Sequence, residues 1–114
     1  MAAMAHFFLK LIAARPTFAM DMNAEEKAMM AEHVAYWKAK LDSGQVVVFA
    51  PVFDPKGSYG MGVVAVPDEA AARAFADGDP AIKSKRGFVC EIHPMRAVTR
   101  ETTTAHKGET PWLM

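Results

Sequence analysis

The sequence has little of what marks secreted, nucleic-acid-binding or phosphate-binding proteins. One cysteine, Cys90, occurs in 114 residues, so no disulfide can form within the chain and a reducing, cytoplasmic location is expected. Lys plus Arg equals Asp plus Glu, at 13 each, whereas nucleic-acid-binding domains usually carry a basic excess. Neither a glycine-rich phosphate loop nor a serine nucleophile motif is present. We therefore expect no nucleic-acid partner and no cofactor.

Long apolar runs and clustered metal ligands are also missing. The apolar segment near the N-terminus is interrupted by Lys10 and is too short to span a bilayer, so no membrane association is expected. Neither a short ligand spacing nor a cysteine partner links the four histidines, which are His6, His33, His93 and His106. Such spacings characterise structural metal sites, so we expect no metal.

The composition is that of a globular protein with a single core. The chain has a common single-domain length, and 52% of its residues are hydrophobic while 23% are charged. Nine Met and seven Phe at zero net charge leave a lone monomer little protection against association. These numbers favour a homodimer or a higher homo-oligomer.

The hydrophobic pattern predicts the order strand, helix, strand, strand, helix, strand. The predicted strands cover residues 7–13, 45–50, 59–66 and 87–93, and the predicted helices cover residues 24–43 and 69–77. Pro51 requires that the second strand end there or lie at an edge or bulge, and Pro94 is expected to end the fourth strand. This order is the split βαβ pattern, so the predicted fold class is α+β, ferredoxin-like, with a four-stranded antiparallel sheet.

Local signals fix the ends of the predicted helices. Asn23 and Glu26 form a capping box that places a helix start near Ala24, and Gly44 supplies a left-handed stop. Asp68 caps the second helix in the same way. The Asp79-Pro80 step opens a further turn, with Asp as cap and Pro at the first helical position.

The sheet should carry helices on one face only. Residues alternate along a strand, so Phe7, Leu9 and Leu11 point one way while Phe8 and Ile12 point the other. Both sets are apolar, and the face without helices also needs a cover. A second copy of the sheet would supply it, which again predicts a dimer.

One histidine lies within an apolar helical stripe. Met30, His33, Trp37 and Leu41 recur at three- and four-residue steps, which places them on one face of the first helix. A buried imidazole needs a hydrogen-bonding partner. Two interpretations stay open: a core histidine bonded to a nearby carbonyl, or a proton acceptor in a pocket, since imidazole changes charge near neutral pH.

Other candidate residues each have a functional and a structural interpretation. Arg15 could bind a substrate carboxylate through two hydrogen bonds, or could be a solvated loop arginine. Trp37 and Phe53 could line an apolar pocket, or could belong to the core. Ser58 lies either at the mouth of that pocket or only in a turn. Cys90 falls in an apolar run and is interpreted as a structural cysteine.

The order and spacing of several segments resemble the YCII-related family over roughly residues 6–96. The segments are His33, Tyr36-Trp37-Lys38, Leu41, Gly44, the run 46–49, Ala50-Pro51, Asp54-Pro55-Lys56-Gly57, the run 68–76, Gly78-Asp79-Pro80 and Glu91-Ile92-His93-Pro94-Met95. The resulting domain division is residues 1–96 for the α+β domain and 97–114 for a C-terminal tail. The polar tail finishes with apolar residues that include Trp112 and Leu113, so it could dock on the body or on a neighbouring chain, or be disordered. Of these, we predict contacts to a neighbouring chain.

The resemblance implies a dimeric α+β barrel and an active site that pairs His33 with Asp79. A carboxylate that accepts from one imidazole nitrogen fixes the tautomer and leaves the other nitrogen free for acid–base work. Alternatively, Asp79 only caps its turn and His33 packs against it. The chain departs from the family pattern at Ala50, where Gly is common, and at Ala81, where an aromatic residue is common.

Two hypotheses for function follow. The first is a small cofactor-independent enzyme that performs hydrolysis, isomerisation or elimination, with the resemblance implying a small cyclic, carboxylated or halogenated metabolite. The second is a non-catalytic dimer that binds a small ligand or serves as an accessory module.

Overall fold

The computed structural model describes residues 4–100. The tail from residue 101 onward, with its predicted contacts to a neighbouring chain, lies outside the described residues. Within residues 4–100 the chain forms four strands and four helices. In chain order they are β1 (Ala5–Ile12), α1 (Phe18–Asp21), α2 (Ala24–Asp42), β2 (Val46–Val52), β3 (Tyr59–Val66), α3 (Glu69–Asp77), α4 (Pro80–Lys83) and β4 (Val89–Met95).

The strands form one antiparallel sheet in the order β2-β3-β1-β4. The central strand β1 pairs with β3 and β4, so Phe7 stands opposite Val64 on one side and Pro94 on the other. This strand order, with two helical crossovers, is that of the split βαβ pattern. The predicted α+β, ferredoxin-like class is confirmed.

The predicted caps are present. Asn23 Oδ1 accepts from the Glu26 N–H at 2.8 Å while Glu26 Oε1 accepts from the Asn23 N–H at 2.9 Å, which completes the capping box. Gly44 follows the end of α2 with a φ of 90°, the left-handed conformation that glycine tolerates best. Asp68 Oδ1 accepts from the Ala71 N–H at 2.8 Å and caps α3.

The short helix α1 was not predicted. A helix of four residues cannot form on propensity alone, so its stability comes from tertiary contacts. Phe18 is buried and its ring meets the Phe88 ring edge-on, with centroids 5.1 Å apart. Arg15 Nε donates to Asp21 Oδ1 at 2.8 Å and holds the other end of the helix.

The two strand prolines lie on edge strands, where a missing N–H costs no ladder bond on the outer side. Pro51 lies within β2, which is an edge strand, so the edge alternative of the prediction is the one found. The register irregularity of β2 falls between Val46 and Val48, away from Pro51. The prediction that Pro94 ends the fourth strand is wrong, because β4 continues to Met95. The outer position of β4 in the sheet permits this.

The core lies between the sheet and the helices. Phe7, Leu9 and Leu11 are buried on the helix side, whereas Phe8 and Ile12 on the other face are partly exposed. This alternation matches the predicted one. No helix within residues 4–100 is long and apolar enough to cross a membrane, and the cytoplasmic location stays a prediction.

Helix α2 approaches the sheet very closely at one glycine. The Trp37 ring lies directly over Gly62 of β3, and a Cβ at Gly62 would overlap the ring atoms Cζ3 and Cη2. Trp37 is 4% exposed and belongs to the main core cluster with Leu9 and Phe75. Gly62 is therefore required by the position of the indole.

We expect Gly62→Ala to destabilise the fold by about 1–3 kcal/mol, because the indole must shift in a packed core. Gly60→Ala is the matched control on the same strand, since its Cβ would meet Leu11 Cβ at an ordinary 3.5 Å. Urea unfolding of both variants measures the difference. Equal stabilities for the two variants would contradict the proposed close packing.

Candidate active site

His33 lies on the face of α2 that packs against the sheet. The buried residues of this helix are Glu26, Met29, His33 and Trp37, which recur at three- and four-residue steps. The predicted stripe is therefore present at its centre, although Met29 is buried where Met30 was expected to be. His33 is 9% exposed, so its ring depends on partners supplied by the protein.

Asp79 is the N-cap of α4. Its Oδ1 accepts from the Ala81 N–H at 2.9 Å, and Pro80 occupies the first helical position, as the sequence predicts. Gly78 ends α3 immediately before it, which turns the chain so that the carboxylate faces α2. Asp79 is 2% exposed, an unusual setting for a carboxylate.

The structure brings His33 and Asp79 into contact. His33 Nδ1 lies 2.9 Å from both Asp79 oxygens, and the Trp37 indole Nε1 donates to Oδ2 at 2.8 Å. The indole and the Ala81 N–H are donors only, so both carboxylate oxygens act as acceptors. This network favours the imidazole tautomer that carries its hydrogen on Nδ1 and donates it to Asp79.

The second imidazole nitrogen of His33 is not sealed in the core. Within residues 4–100, no buried side-chain nitrogen or oxygen lacks a hydrogen-bond partner. The two hydrogen bonds that His33 makes with described residues both use Nδ1, so Nε2 has no partner among them and is not a fully buried atom. His33 also lines a cavity, and Nε2 is the nitrogen that a molecule in that cavity could contact.

The cavity lies between α2 and the sheet and has a volume of about 360 Å³. This falls within the range of small-molecule sites. Leu9, Leu11 and Cys90 contribute from the sheet, and Ser58 contributes from the β2–β3 hairpin. Aromatic residues contribute much of the rest of the wall: Phe18, Trp37, Phe49, Phe53, Tyr59 and Phe88.

Three of the four predicted binding residues line this cavity. Trp37, Phe53 and Ser58 do so, and Phe53 is 74% exposed, which places its ring at the mouth. Arg15 is not among the lining residues. Its guanidinium donates from Nη1 and Nη2 to the two Glu26 oxygens, at 2.8 Å and 2.9 Å.

The Arg15 ion pairs shift the pKa values of all three partners. The hydrogen bonds from Arg15 and from the Asn23 backbone lower the pKa of Glu26 from 4.5 to about 2. Hydrogen bonds from Thr17 and Arg15 lower the pKa of Asp21. The two carboxylates raise the pKa of Arg15 above its usual value. The cluster therefore stays fully charged across the neutral range.

Some lining residues were not found by sequence reasoning. Phe18 lies in the unpredicted helix α1, and Phe88 lies just before β4, where only its place in an apolar run marked it. The Cys90 thiol is half-buried, and burial raises its pKa to about 11. Since the thiolate is the nucleophilic form, this cysteine is unreactive at neutral pH, in line with the structural interpretation.

Metal binding finds no support within the part of the chain that the structure describes. No group of three or more His, Cys, Asp or Glu side chains lies close enough there to hold an ion.

Comparison with known proteins gives the family. The YCII-related domain matches residues 6–96, which is most of the chain, and the chain belongs to this family. The resemblance inferred from the sequence is thereby confirmed. No curated protein matches the sequence.

We expect the Arg15–Glu26 ion pair to stabilise the fold in a pH-dependent way. The lowered pKa of Glu26 adds stability that is fully present above about pH 4.5 and is lost as pH falls through about 2. Glu26→Gln keeps a side chain able to complete the capping box and removes only the charge. The stability difference from wild type should thus be largest above pH 5 and should shrink towards pH 2.

Urea unfolding at several pH values measures this difference. Glu25→Gln is the matched control, because it removes a charge from the same helical turn, where the Glu25 side chain is 79% exposed. A Glu26→Gln effect that does not vary with pH, or that matches the Glu25→Gln effect, would contradict the assignment.

Proposed function

We propose that this protein is a small cofactor-independent enzyme in which His33 performs general acid–base chemistry and Asp79 orients it. The observation that carries the proposal is the 2.9 Å contact from His33 Nδ1 to both Asp79 oxygens, next to a cavity that His33 lines. A geometry of this kind, with a base oriented by a third group and open to a concave site, is typical of proton-transfer enzymes.

The chemistry follows from the free nitrogen. Nε2 takes a proton from water or from an acidic C–H of the ligand, and the imidazolium that forms is stabilised by the Asp79 carboxylate. Returning that proton to another atom completes a hydrolysis, an isomerisation or an elimination on a small cyclic metabolite. General acid–base assistance of this type contributes roughly 10²–10⁴-fold to the rate.

Trp37 has a positioning role in this scheme. Its Nε1 donates to Asp79 Oδ2 at 2.8 Å, while the Ala81 N–H holds Oδ1. With each oxygen fixed by a separate donor, the carboxylate cannot rotate away from His33. The base is therefore oriented before any ligand enters.

The non-catalytic alternative rests on the same contacts. Asp79 caps α4 and bonds Trp37, so its partnership with His33 also satisfies a buried charge. A dimer that binds a small ligand, or an accessory module, would need nothing more from the pair. The two functions differ in what they require of Nε2, since only the enzyme needs a basic atom there.

We expect His33→Asn to separate the two functions. The Asn amide N–H₂ can replace Nδ1–H as donor to Asp79, but it supplies no base at the position of Nε2. The enzyme predicts a melting temperature near that of wild type and turnover reduced by roughly 10²–10⁴-fold, on a substrate found by screening small cyclic compounds.

His93→Ala is the control for a general effect of losing a histidine, because His93 is exposed and, among the described residues, its ring hydrogen-bonds to Glu91 at 3.1 Å. The enzyme proposal fails if His33→Asn folds normally and retains full turnover. If the wild type turns over no substrate and His33→Asn binds the ligand as tightly as the wild type does, the result supports the binding module.

We further propose that the protein forms a homodimer through the sheet face without helices. Apolar residues of this face are exposed, with Val48 at 44% and Val89 at 57%, and Phe8 lies between their strands. The apolar surface is thus exposed on both edge strands, β2 and β4. A second copy would remove it from water.

Val48→Lys should weaken this dimer, because it places a charge within a hydrophobic contact. Val34→Lys is the matched control, since Val34 is 50% exposed on α2, away from the sheet face. Light scattering after size-exclusion chromatography measures the mass. Equal masses for the two variants, or a monomeric wild type, would contradict the dimer.

A further inference from the structure

We propose that the cavity selects an uncharged, largely hydrophobic ring compound whose one hydroxyl or comparable donor group binds His33 Nε2. This deepens the proposed function and rests on it for the role of Nε2. It differs from the carboxylated metabolite that the family resemblance implies. The charges around the cavity favour such a compound.

No permanently cationic side chain lies on the cavity wall within the part of the chain that the structure describes. Neither a lysine nor an arginine lines it within residues 4–100, and the one carboxylate on its wall is that of Asp79. Both Asp79 oxygens are already occupied by His33, Trp37 and Ala81. A ligand carboxylate would lose its water without gaining a cationic partner, and such desolvation is strongly unfavourable.

The guanidinium of Arg15 is committed elsewhere. It donates to both oxygens of Glu26 and also to Asp21, each within 2.9 Å, and the Glu26 oxygens sit in the capping box of α2. A ligand carboxylate would have to displace Glu26 from a bidentate ion pair. Doing so would leave an 8% exposed Glu26 side chain without its cation.

Charge balance through the reaction also favours an uncharged ligand. When Nε2 removes a proton, the ligand O–H or C–H bond breaks, its electron pair stays on the ligand, and an N–H bond forms on the ring. With a neutral ligand, the summed charge of the ligand, the His33 ring and the Asp79 carboxylate is one negative charge before and after this step. An anionic ligand would become a dianion next to the Asp79 carboxylate, which like-charge repulsion opposes.

The wall matches such a compound. Phe49 and Phe88 are partly exposed on this wall and can offer apolar ring surface for stacking. Ser58 lies on the wall in the β2–β3 hairpin, and its hydroxyl can bind a second polar substituent of the ligand. A few polar groups on a mostly aromatic wall are typical of sites that hold uncharged small molecules.

The test compares 2-naphthol with 2-naphthoate, which share a ring system and differ in charge at pH 7. Isothermal titration calorimetry on the full chain should show 2-naphthoate binding at least about tenfold more weakly, a difference of about 1.4 kcal/mol. In parallel NMR titrations, 2-naphthol should shift the His33 ring resonances and leave those of the exposed His93 unchanged.

A variant that introduces a positive charge on the cavity wall should show the opposite preference between the two compounds. Ser58→Lys places a cation on the cavity wall and should reverse the preference towards 2-naphthoate. Ser58→Met is the matched control, because it adds similar bulk without charge and should keep the wild-type preference.

Tighter binding of 2-naphthoate by the wild type, binding of neither compound, or binding of 2-naphthol without a shift at His33 each overturns the inference. These outcomes are distinct from failure of the proposed function. A protein that prefers 2-naphthol but whose His33→Asn variant keeps full turnover would retain the ligand class and lose the catalytic role. A preference for 2-naphthoate would remove the ligand class and leave the acid–base role to be decided by turnover.

Discussion

The buried carboxylate of Asp79 is the interaction on which the arrangement of this protein depends. It joins α4, which it caps, to α2, through His33 at 46 and Trp37 at 42 residues of sequence separation. A carboxylate that is 2% exposed is tolerated only when each oxygen is hydrogen-bonded. The two helices must therefore meet at one geometry, and that geometry also positions the imidazole.

The fold fixes this geometry from the opposite side as well. The indole of Trp37, which donates to Asp79, rests on Gly62 of β3. The centroids of the neighbouring Phe49 and Phe75 rings lie 5.8 Å and 4.7 Å from the centroid of this indole. Trp37 is thus held by the sheet, and it in turn holds the carboxylate. Orientation of His33 is a consequence of core packing and needs no ligand to establish it.

Sequence reasoning succeeded where the determining contacts are local. Caps at Asn23 and Asp68 involve partners three residues away, so they are encoded in short motifs. The pairing of His33 with Asp79 came from the family resemblance and not from periodicity. The bond from Trp37 to that carboxylate and the commitment of Arg15 to Glu26 were not foreseen, because both depend on how distant segments pack. The helix α1 was missed for the same reason.

The distribution of charge links fold and site in a further way. The cationic group nearest in sequence to the cavity-lining helix α1 is Arg15, and it is bound to Asp21 at the end of α1 and to Glu26 in the capping box of α2. Stabilising the helix start in this manner withdraws the guanidinium from ligand recognition. The cavity is left with aromatic walls and one free imidazole nitrogen. In the proposed function, discrimination among ligands comes from shape, desolvation and a few hydrogen bonds, since no lysine or arginine lines the cavity within residues 4–100.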